Sequence, residues 1–82
     1  IEHFYANSHE FDPAFLDLSK RESEILGLVV EGCSNEEISN LLCRSLGTIK
    51  LHVHSIYKKL KVSNRVNAIK KCHTSGFFSF GL

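Results

Sequence analysis

The chain has 82 residues, 43% of them hydrophobic and only one of them proline. That excludes a disordered segment and leaves room for one small domain with a single modest core. No apolar run approaches the roughly 18–20 residues that a spanning helix needs, and no basic-then-apolar signal segment is present. A soluble, cytoplasmic chain is therefore expected. It starts at Ile1 rather than Met, which we read as a fragment or a processed piece. The formal net charge of +1 hides a strong polarity: all nine acidic residues lie between Glu2 and Glu37. By direct count, residues 1–43 carry −7 and residues 44–82 carry +8. Such asymmetry points to an anionic partner for the second half, and either a nucleic acid or an acidic protein would satisfy it.

Residues 1–17 hold Phe4, Tyr5, Phe11 and Phe15 among acids and the lone Pro13, without a clean period. They read as a linker or arm whose aromatics pack on the domain. The ordered pattern begins at Leu18. Ser19 and Glu22 have capping-box spacing, Ile25, Leu26, Val29 and Val30 form an apolar stripe, and Gly32 can end the helix as a left-handed residue. Ser34 and Glu37 repeat the box, with Cys33 and Ile38 placed for a hydrophobic staple. Ile38, Leu41 and Leu42 then line one face of a helix of about two turns. Ser45, with Thr48 three residues on, is a third cap.

Residues 47–55, Gly-Thr-Ile-Lys-Leu-His-Val-His-Ser, alternate as a half-buried strand does. The strand reading fails at Ser55-Ile56-Tyr57, which breaks the alternation with no turn signal after it. As a helix, the stretch places Ile49, Val53, Ile56 and Leu60 within one narrow arc, with His52 and Tyr57 flanking it. We take the helix, over about 46–60. Ser63-Asn64 caps a fourth helix that turns Ala68, Ile69 and Cys72 inward, and Gly76 can stop it. Residues 77–82 form a short apolar tail.

The prediction is an all-α fold, a compact four-helix bundle containing a helix-turn-helix over residues 18–76, with an N-terminal arm and a short tail. A helix-turn-helix lodges one helix on the core and sends its outer face into the DNA major groove. That outer face carries Gly47, Lys50, Leu51, His54 and Lys58. A lysine can donate to guanine O6 and N7, and an apolar side chain can meet a thymine methyl. His54 can donate a hydrogen bond without supplying a full charge. His52, between the faces, reads as a partly packed structural histidine. Cys33, Cys43 and Cys72, with the histidines, match no standard zinc spacing, so neither metal nor cofactor is predicted. No nucleophile sits in a catalytic arrangement and no phosphate loop is present, so no enzymatic activity is predicted.

Residues 18–69 resemble the LuxR-type (GerE-type) DNA-binding domain of bacterial transcription regulators. The resemblance is carried by Leu18, Arg21-Glu22, Gly32, Ser34-Asn35-Glu37-Ile38, Thr48-Ile49-Lys50-His52, Ile56-Lys59-Leu60 and Asn64-Arg65-Ala68. It implies base reading by Gly47, Lys50, Leu51 and His54, with Asn35 and Thr48 on phosphates. Arg44, Lys58 and Lys59 of the basic half join the phosphate set. It implies a dimer contact on the fourth helix, whose outward residues are Val66, Asn67, Lys70 and His73, and a separate N-terminal receiver or ligand-binding domain in the whole protein. Double-stranded DNA and a second copy are thus the expected partners, with RNA polymerase a further candidate. Two other functions remain open: a sigma-factor-like promoter reader, and a protein-interaction module for an acidic partner. Lys61 departs from the family pattern, standing where many members have glycine.

Overall fold

The computed structural model describes residues 13–74, which form a short 3-10 turn (Pro13–Asp17) and four α-helices: α1 (Lys20–Val30), α2 (Asn35–Leu42), α3 (Leu46–Leu60) and α4 (Arg65–Thr74). No strand occurs among these residues. Most of the arm, Gly76 and the apolar tail lie outside the described residues.

Each helix starts where a side-chain oxygen satisfies an orphan amide. The Ser19 hydroxyl accepts from the Glu22 amide at 3.1 Å, and Glu22 Oε1 accepts from the Ser19 amide at 2.8 Å. Ser34 and Glu37 repeat both bonds at the same distances. At α3 only half of the box is present. The Ser45 hydroxyl accepts from the Thr48 amide at 3.1 Å and donates to Thr48 Oγ1 at 2.9 Å, and the first turn holds no acid. Asn64 Oδ1 accepts from the Asn67 amide to start α4.

The ends of α1, α2 and α3 share one geometry. The amide of Cys33 bonds to the Leu28 carbonyl, that of Arg44 to Ser39 and that of Val62 to Tyr57, at 2.9–3.0 Å. This closure needs a left-handed residue just past the helix. Gly32 fills that place after α1 with φ +99°, as expected, but Cys43 (φ 56°) and Lys61 (φ 59°) fill it after α2 and α3. A side chain in this region costs about 1–2 kcal/mol, and glycine returns part of that through its freer unfolded state. Lys61→Gly is accordingly expected to stabilise the domain by about 0.5 kcal/mol, read as a rise of a few degrees in thermal unfolding.

The core joins Ile25, Leu26 and Val29 of α1, Ile38 of α2, Ile49, Val53, Ile56 and Leu60 of α3, and Cys72 of α4. Phe15 of the 3-10 turn is buried with them, and the turn packs against α3. Ala68 is buried as well. One apolar assignment fails. Leu41 is 61% exposed, whereas Ser39 is buried and donates to the Glu36 carbonyl at 2.8 Å. The inward arc of α2 is centred between Ile38 and Ser39, with Asn35 and Leu42 half-buried beside it. Leu41 falls about 110° from that centre.

Candidate nucleic-acid interface

The α3 stripe of Ile49, Val53, Ile56 and Leu60 is buried in full, so the opposite side must face out. Gly47, Lys50, Leu51, His54 and Lys58 are all exposed there. Leu51, at 73% exposure, stands between Lys50 and the half-buried His52. A Cβ at Gly47 would meet nothing within 4 Å, so the fold itself does not require glycine at that position. Arg44 is exposed in the three-residue turn between α2 and α3. Thr48 is half-buried with its hydroxyl bonded to Ser45. Asn35 opens α2, and its Oδ1 is buried with no partner among the described residues. Val66, Asn67 and Lys70 are exposed on α4, away from the α3 face in sequence and on a separate helix.

Three cations of the basic half turn inward. Arg65 donates through Nη2 to the carbonyls of Cys33 and Val29 where α1 ends. Lys71 Nζ donates to the Leu60 carbonyl at 2.8 Å, a cation at the negative end of α3. Lys59, expected on a phosphate, instead donates to Glu22 Oε1 at 2.8 Å and to the Asp17 carbonyl at 3.2 Å. These two bonds engage its ammonium within the fold, and the proposal below leaves it out of the phosphate set. Arg44, Lys50, Lys58, Lys61 and Lys70 are the exposed cations that remain in this half among the described residues.

The sequence places Glu22 in a capping box and in the Arg21-Glu22 pair of the family resemblance, and assigns it no partner beyond its own helix. Its carboxylate is buried and also accepts from Ser55 Oγ at 2.9 Å. Burial pushes its pKa up, but the bonds from Lys59, the Ser19 amide and Ser55 prevail and hold the carboxyl at about 2. The signal was present in the spacing. Glu22 shares the apolar face of Ile25, Leu26 and Val29, an acid on a buried stripe, and such an acid requires a partner.

Four helices in this order, with a three-residue turn ahead of an outward-facing third helix, make a helix-turn-helix. The profile of the family described as "Bacterial regulatory proteins, luxR family" matches residues 16–72. The chain belongs to the LuxR family. A relative from Escherichia coli (strain K12), described as "Putative HTH-type transcriptional regulator YhjB", is 47% identical over 51 residues. That match covers 62% of this chain and 26% of the relative, so the chain spans about a quarter of that protein's length. The LuxR-family match takes in all four helices up to Cys72 and the last two residues of the 3-10 turn. As a LuxR-type helix-turn-helix, it is a DNA-binding domain of transcription regulation. No helix among the described residues is long and apolar enough to cross a membrane.

Proposed function

We propose that this domain binds double-stranded DNA sequence-specifically as the C-terminal part of a cytoplasmic bacterial transcription regulator. In this reading α3 lies in the major groove and two copies meet through α4 on paired half-sites. The observation that carries it is the exposed Leu51 between Lys50 and His54, opposite a fully buried stripe. A leucine held in water by its own helix gains nothing from the fold, but it can bury its side chain against a thymine methyl. Lys50 and His54 donate to base edges beside it, and Gly47 leaves the backbone free to approach the groove closely. Arg44, Lys58, Thr48 and Asn35 serve the phosphates, which fix register without reading sequence.

Selecting bound sites from random DNA tests the reading, because a domain with this function returns one motif repeated at a fixed spacing. On the selected site Lys50→Ala is expected to lower affinity by about 10- to 100-fold, with a much smaller change on random duplex. Equal losses on both would demote Lys50 to a phosphate contact. A selection that returns no motif would reject sequence-specific binding.

A further inference from the structure

We propose that Glu22 is a positioning residue for DNA reading: its buried carboxylate, tied to Ser55 and Lys59 on α3, fixes the roll and register at which α3 presents Lys50, Leu51 and His54. The inference rests on the groove reading proposed above.

Apolar contacts are non-directional, so the stripe of Ile49, Val53, Ile56 and Leu60 resists lifting α3 off the core more than it resists a small roll in place. Side-chain tips stand about 6 Å from the helix axis, and a roll of about 10° moves them by about 1 Å. That is twice the roughly 0.5 Å window within which a hydrogen bond to a base edge keeps its length. A directional restraint is therefore needed, and among the described residues Glu22 supplies the one that joins α1 to α3 through charge. Oε2 accepts from Ser55 Oγ at 2.9 Å and Oε1 accepts from Lys59 Nζ at 2.8 Å. Ser55 and Lys59 are four residues apart, hence one above the other about 6 Å along the helix, so the two bonds together oppose both roll and sliding. The carboxylate is itself fixed, because Oε1 also accepts from the Ser19 amide at the start of α1. Lys59 is fixed from a second side by the Asp17 carbonyl of the 3-10 turn, at 3.2 Å. Ser55 adjoins His54 in the chain, and Lys50 and Leu51 lie about one turn further toward the helix start. The restraint thus sits beside His54 in the chain and about one turn from Lys50 and Leu51, and its bonds go to none of them.

The test measures affinity of the 82-residue chain for its selected site and for random duplex. It compares wild type with Glu22→Gln, Ser55→Ala and Lys59→Met, each checked by circular dichroism to be folded at the assay temperature. The expected result is a selected-to-random ratio lower by about 10-fold in Glu22→Gln and about 3-fold in Ser55→Ala, with affinity for random DNA unchanged. The salt slope of Lys59→Met on random DNA is expected to equal that of wild type. If Glu22→Gln does not fold, the ratio in Ser55→Ala decides the question. Folded variants that keep the wild-type ratio overturn the proposal, and so does a slope shallower by about one in Lys59→Met, which would return Lys59 to a phosphate. A wild-type chain with no sequence preference overturns the groove reading itself.

Discussion

Val66→Asp is expected to abolish binding to paired half-sites while leaving a folded domain that still binds a single half-site. Val66 is 62% exposed on α4, and Asn67 and Lys70 are exposed beside it. In the isolated domain the change replaces one solvated side chain by another, which costs within about 0.5 kcal/mol. In a two-fold contact built on Val66 it sets two carboxylates facing each other out of water, and an uncompensated buried charge costs about 3–5 kcal/mol. Because α4 does not carry the side chains proposed to read bases, contact with each half-site is expected to be retained. Fluorescence anisotropy on duplexes with one and with two half-sites separates these effects, and thermal unfolding checks the fold. Paired-site binding that survives the substitution would rule out α4 as the contact.

The second large effect is on stability against acid. Glu22 has a folded pKa near 2, below the ordinary value of 4.5, so between these values the unfolded state binds more protons than the folded one. Stability then rises with pH across that window: the contribution is complete above about pH 4.5 and is lost as pH falls toward 2. Its size is on the order of 2–3 kcal/mol, after some discount because Lys59 is 37% exposed. Glu22→Gln is expected to lose that amount at pH 7 and to converge on wild type near pH 2. Urea unfolding at a series of pH values gives the comparison. Parallel curves for the two proteins would remove Glu22 as the source of the acid limb.

Much of the fold was legible because its determinants are local. The Ser19–Glu22 and Ser34–Glu37 boxes, the Ser45 and Asn64 caps, Gly32, and the Ile49, Val53, Ile56 and Leu60 arc each follow from spacing over a few residues. What was not legible depends on neighbours distant in the chain. The inward arc of an eight-residue helix is set by what covers it, so Leu41 and Ser39 exchanged the places that hydrophobicity assigns them. Lys59, Arg65 and Lys71 look like any other basic residues until Glu22 and the carbonyls at the ends of α1 and α3 are brought beside them. The exposed face of α3 emerged from a helical wheel because its buried stripe leaves one side open. Which of its side chains reads a base is a property of the partner, and no spacing encodes it.

The two helices whose capping boxes are closed by a glutamate and α3, which has none, differ in a way that reaches beyond helix starts. Thr48 occupies the place where Glu22 and Glu37 close the other two boxes. A carboxylate there would favour the positive end of the helix by a few tenths of a kcal/mol, but it would meet each approaching phosphate with like charge. In the groove reading proposed above, the first turn of α3 is a point of trade-off, where firmer folding and tighter hold on a polyanion pull the same side chain in opposite directions. A threonine leaves the helix slightly under-capped and the approach open.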